Sequence, residues 1–132
     1  MARVGDLLEL LKGVYGPHGF QTGVAALIEV SDPEIVFYPA GIWLDSEPVC
    51  HGHDEVTAFF DDLREALEEL DFEPVRVEER GDRIALEVLM EMRGRHTGLT
   101  ETRRLSHLWS FRDGRAVELR AFAEPGGAFE AL

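Results

Sequence analysis

Residues 105–122 read LSHLWSFRDGRAVELRAF, and their pattern decides the fold. Leu105, His107, Trp109 and Phe111 alternate with Ser106, Leu108 and Ser110, the period of a strand with one face on a core. Asp113-Gly114 follows, a dipeptide suited to a two-residue hairpin turn because both central positions need positive φ. Val117, Leu119, Ala121 and Ala123 then alternate with Glu118, Arg120, Phe122 and Glu124 in a returning strand over 115–124. The hairpin has one apolar face to cover, and that face carries an imidazole, His107, among Leu105, Trp109 and Phe111.

The alternation continues upstream. The first strand of the hairpin spans about 100–112 and adds Arg103 to the His107 face; GRHTG at 94–98 is a turn. Before it, Ile84, Leu86, Val88, Met90 and Met92 share one face of a strand, with Ala85, Glu87, Leu89, Glu91 and Arg93 on the other. RGD at 80–82 is a turn, and Val75 and Val77 alternate with charge in a further strand after DFEP at 71–74. HDEVTAFFDDLREALEEL at 53–70 is a helix. Val56, Phe59, Phe60, Leu63, Leu67 and Leu70 form its apolar stripe, and Asp54 and Glu55 suit its positive end.

Nearer the start, Val4, Leu7, Leu8, Leu11 and Tyr15 predict a helix over about 3–15, ended by GPHG at 16–19; Val24, Leu27, Ile28 and Val30 predict a second over 21–30. SDPE at 31–34 turns into a strand, IVFYP, at 35–39, and residues 40–52 form an irregular loop with room for a short extended piece. The order is helix, helix, strand, helix, then at least four strands on short connections. That is α+β: a mainly antiparallel sheet with its helices on one face. The other face sets Leu89, Leu108 and Phe122 among charges, a pattern that meets either solvent or another subunit.

A chain of 132 residues reads as one domain, 1–132, which buries roughly two-thirds of its unfolded surface. Its 26 acidic and 13 basic residues give a net charge of −13, which repels phosphate backbones and anionic membranes, so neither nucleic acid nor membrane is an expected partner. The lone Cys50, a start interrupted by Asp6, Glu9 and Lys12, and the lack of any bilayer-length apolar run point to a cytoplasmic protein. CHGH at 50–53 offers a thiol and two imidazoles, His51 and His53, without a second ligand cluster; no metal and no cofactor are expected.

Three signatures in order, DPEIVFYPAG, GHDEVTAFFDDL and SHLWSFRDGRAVELRAF, resemble the SnoaL-like group of the nuclear transport factor 2-like superfamily, over about residues 31–124. The resemblance implies a strongly curved sheet wrapped on about three helices into a cone. The cone's mouth is a pocket for a small apolar molecule, and two copies pair through the outer sheet face. It also implies that the Gly-His segment starts a helix without metal. The superfamily includes polyketide cyclases, ketosteroid isomerase, limonene epoxide hydrolase and dehydratases, so fold does not select an activity. In the isomerase-like pattern the base position is Tyr38 here, the oxyanion-donor position is His107, and a phenol on the first helix falls near Tyr15. Carboxylates are absent from both matched positions, and the hydrolase's Asp-Arg-Asp set is not visible.

In a cone, His107 lines a cavity as its orienting polar group, or is satisfied by a neighbour such as Tyr38, or shuttles a proton. Tyr15, Phe59, Phe60, Leu86, Val88, Met90 and Trp109 line the cavity, Trp43 sits at its rim or lid, and Ala121 and Ala123 leave its volume open. Asp45 and Glu47 are acids near the mouth, while Arg120 and Glu124 fall outside. Three functions stay open: a small-molecule binder; a cofactor-independent cyclase, isomerase or hydratase with His107 and Tyr38 as its catalytic pair; and a dimeric interaction module with a vestigial pocket.

Overall fold

The computed structural model describes Leu11, Tyr15, Leu27, Ile28, residues 31–39 and residues 49–132. The elements there are β1 (Val36–Tyr38), β2 (Cys50–His51), α1 (Gly52–Ala66), β3 (Leu67–Arg80), β4 (Arg83–Gly94), β5 (Thr100–Arg112), β6 (Arg115–Phe122) and α2 (Gly127–Ala131). Most of the two N-terminal helices predicted from the sequence lies outside the described residues. Leu11, Leu27 and Ile28 are helical, and the Tyr15 N–H bonds the Leu11 carbonyl at 3.0 Å.

The strands form an open six-stranded sheet in the order β2-β1-β6-β5-β4-β3. It is mixed: β1 runs parallel to β6, and the other pairs are antiparallel. Bulges between Pro74 and Arg76 and between Ser110 and Phe111 bend it. The architecture is the expected α+β cone. Pro74 is tolerated because β3 is an edge strand, where a missing N–H breaks no inner ladder. Beyond it β3 runs past the core, leaving Val75 and Val77 exposed. Asp113 and Gly114 both adopt positive φ, 54° and 79°, as their hairpin turn requires.

The concave face buries Ile84, Leu86, Val88 and Met90 of β4 beside Leu105, His107, Trp109 and Phe111 of β5. Across the ladder Leu86 faces His107, and His107 faces Ala121 of β6. Val56, Phe59 and Leu63 of α1 cover this face, and Phe37 of β1 meets the Phe59 ring edge-on at 5.0 Å.

Two boundaries differ from the sequence expectation. The helix predicted to Leu70 ends at Ala66, and β3 begins at once. Arg95 halts it from the far hairpin: its backbone N–H takes the Ala66 carbonyl, and its guanidinium takes those of Arg64, Glu65 and Leu67. Leu70 is then buried from a strand, opposite Met92. The last strand stops at Phe122 rather than 124, because the chain turns back over the convex face as α2.

That turn accounts for two of the three apolar residues expected on the convex face, Leu108 and Phe122, but not Leu89. Leu108 and Ala85 are buried against Ala128, with Phe122, Phe129 and Leu132 packed round them. Leu108 and Phe122, read from sequence as a possible subunit contact, are thus covered by the chain itself. Ser106 pins the cover: its hydroxyl donates to the Glu124 carbonyl at 2.7 Å and accepts the Ala128 N–H at 3.0 Å. Ser106→Ala is expected to cost about 2 kcal/mol, since it orphans two backbone groups around a fully buried site. Urea unfolding and faster hydrogen exchange at Ala128 check this; unchanged exchange would mean that α2 is held by packing alone.

Candidate functional site

Between α1 and the concave face lies a cavity of about 60 Å³, room for several water molecules. Its wall combines Val56, Phe59, Phe60 and Leu63 of α1 with Phe37, Phe72, Met90, Leu105, His107, Trp109, Leu119 and Ala121 of the sheet. Tyr15, Leu27, Ile28, Ser31 and Ile35 complete it. None of these lining residues is Asp, Glu, Lys or Arg.

Three wall residues form one hydrogen-bond chain. Trp109 Nε1–H donates to the Tyr15 hydroxyl at 2.9 Å, and that hydroxyl lies 2.5 Å from His107 Nδ1. All three side chains are buried. Burial pushes the His107 pKa down to about 4 and pushes the Tyr15 phenol above its ordinary value, an effect the Trp109 bond only partly offsets. Both groups are therefore neutral at pH 7. The Phe72 ring stands edge-on to the imidazole at 5.3 Å. Among the described residues, His107 Nε2 has no hydrogen-bond partner.

Ser31 is the other polar wall residue, and it is occupied. Its hydroxyl donates to the Ile28 carbonyl at 2.6 Å, and His53 Nε2 lies 3.1 Å from its own carbonyl. A carbonyl only accepts, so His53 Nε2 carries the proton. His53 thus ties the start of α1 to the turn before β1, while Cys50 is buried and His51 exposed. Among the described residues no group of three or more His, Cys, Asp or Glu is placed to hold a metal ion.

Residues 20–119 match the SnoaL-like domain. The chain belongs to the SnoaL-like domain family. No curated protein sequence matches it. Among solved structures, this SnoaL-like chain is similar to a nuclear transport factor 2-like protein of unknown function from Burkholderia pseudomallei (21% identity, 93% of this chain and 94% of that one, TM-score 0.75). It is similar to TerC co-crystallised with polyporic acid (21%, 98% and 95%, TM-score 0.73). It also resembles a hypothetical protein with a ketosteroid isomerase-like fold from Catenulispora acidiphila, in complex with trimethylamine (10%, 86% and 84%, TM-score 0.72). At these identities the likeness is one of fold.

Of the residues singled out from sequence, the SnoaL-like cavity gathers Tyr15, Phe59, Phe60, Met90, His107, Trp109 and Ala121. Leu86 and Val88 are buried in the core but do not line it, and Ala123, past the end of β6, is exposed. Tyr38 is not on the wall and does not satisfy His107: its ring lies under the Arg120 guanidinium at 4.8 Å, on the convex side. Phe37 takes the inward place, opposite Leu119. Trp43, Asp45 and Glu47 lie outside the described residues. Phe37, Phe72, Leu105 and Ser31 were not singled out for the wall; alternation in IVFYP separates Phe37 from Tyr38 but does not say which points inward. Among the described residues no helix is long and apolar enough to cross a membrane.

Proposed function

We propose that this SnoaL-like domain binds a small, largely apolar molecule in the cavity between α1 and the sheet. The observation that carries this is an apolar wall left incompletely filled around one imidazole whose Nε2 has no partner among the described residues. A packed core seldom leaves such a space, and a binding pocket needs one. The fold neighbours that contain polyporic acid and trimethylamine support the reading.

Ala121 is small, half-buried and on the wall. Ala121→Phe is expected to fill the cavity and weaken binding of methylcyclohexane at least tenfold, read by saturation-transfer NMR, with the circular dichroism spectrum unchanged. Equal saturation transfer to the filled variant would place the probe elsewhere and end this reading.

A further inference from the structure

We propose that the cavity selects an uncharged apolar molecule bearing one hydrogen-bond acceptor, held by His107 Nε2–H, and that Tyr15 is the positioning residue that fixes this tautomer. The proposal rests on the binding function above and specifies its ligand class.

The Tyr15 hydroxyl has one hydrogen to donate, and its oxygen already accepts Trp109 Nε1–H. Its other neighbour in the chain is His107 Nδ1. If Nδ1 carried a proton, two N–H groups would converge on one oxygen and the buried hydroxyl hydrogen would have no acceptor among the described residues, a costly arrangement. If Nδ1 is bare, all three groups are satisfied in series: indole to phenol, phenol to imidazole. The neutral ring then carries its single proton on Nε2. That donor has no partner among the described residues, so an occupant with a carbonyl, ether or similar oxygen completes it.

Charge selection follows from the same wall. With no Asp, Glu, Lys or Arg among the described residues that line the cavity, a carboxylate or ammonium ligand would lose its hydration without gaining a counter-charge from them. The burial that keeps His107 neutral also denies an anion its partner. Tyr15 does not reach for the ligand itself; its hydroxyl is spent on both sides.

The test uses the protein labelled with 15N-histidine at pH 7. His107 is identified among the 5 histidines by its loss in His107→Asn. The expected spectrum shows a protonated Nε2 and an unprotonated Nδ1. Cyclohexanone is expected to shift the His107 Nε2–H signals and to bind roughly tenfold more tightly than methylcyclohexane, about the worth of one buried hydrogen bond. Cyclohexanecarboxylate and cyclohexylammonium are expected not to bind. In His107→Asn the amide oxygen takes the place of Nδ1 and the Nε2 donor is gone, so the ketone preference should vanish while methylcyclohexane binding persists. If that variant does not fold, the wild-type tautomer and the ketone shift still decide. A protonated Nδ1, or equal binding of ketone and hydrocarbon with His107 unmoved, overturns the proposal and leaves the binding function standing. Failure of every probe to bind overturns both.

Discussion

Tyr15→Phe is expected to destabilise the protein by about 3 kcal/mol, although it removes a single oxygen. The ring itself stays, so its packing against Phe72, at 6.2 Å between centroids, is kept. What disappears is the acceptor for Trp109 Nε1–H and the donor to His107 Nδ1. Both are buried, and each orphaned buried polar group costs roughly 1–3 kcal/mol. An exposed tyrosine hydroxyl would cost close to nothing by comparison. Equilibrium urea unfolding at pH 7.5 measures the loss. Adding His107→Leu to Tyr15→Phe removes one of the orphans, so the double variant is expected to be more stable than the two single losses sum to. A loss below about 1 kcal/mol in Tyr15→Phe would mean that water or a shifted side chain replaces the hydroxyl, and the three-member chain would not hold the site together.

How much of this was legible follows from which forces are local. The hairpin from Leu105 to Phe122 declares itself through period-two alternation and Asp113-Gly114, and the structure has both strands and the turn there, the second strand ending two residues short of its expected end. The end of α1 was not legible, because Leu67 and Leu70 continue the helical stripe begun at Val56 and also suit a strand. What decides between them is Arg95, twenty-eight positions after Leu67, capping carbonyls that no local pattern mentions. Tyr38 and Phe37 show the same limit. A three-residue strand fits either face inward, and its parallel register on β6, Phe37 to Leu119 and Tyr38 to Arg120, settles the choice. The convex face shows a related limit. Leu108 and Phe122 look unpartnered until the chain after Phe122 folds back as α2 over them.

The site divides along the same line. His107 stood out because an imidazole interrupts an apolar face. Its partner did not, because Tyr15 lies 92 positions away and only tertiary packing brings the phenol to Nδ1. The family resemblance placed a phenol near Tyr15, but as a group facing the ligand. In this chain the hydroxyl instead lies between an indole and an imidazole, so of the two polar positions that the resemblance implies, His107 on β5 is the one left to face an occupant.

Acidification supplies the other large effect. An imidazole that is neutral when folded, with its pKa held down to about 4 by burial, takes up a proton near the ordinary value of about 6.5 once the chain unfolds. The unfolded state therefore binds more protons throughout the interval between those values, and stability falls as pH falls. The contribution is whole above pH 6.5, declines by roughly 1.4 kcal/mol per pH unit below it, and is spent near pH 4. From pH 7.5 to pH 4.5 His107 alone is expected to withdraw about 2–3 kcal/mol. The wild-type curve by itself does not isolate the imidazole. Tyr15, the other titratable member of the Trp109–Tyr15–His107 hydrogen-bond series, is held above its ordinary value and stays neutral across the interval. The informative quantity is the difference between the wild type and His107→Asn, each unfolded by urea at a series of pH values. The variant is expected to start less stable at pH 7.5 but to lose about 2–3 kcal/mol less on the way to pH 4.5, so the two curves converge in acid. Parallel curves would show that His107 is protonated in the folded state near its ordinary pKa, and a charged imidazole could not sit bare-nitrogen-first against the Tyr15 hydroxyl.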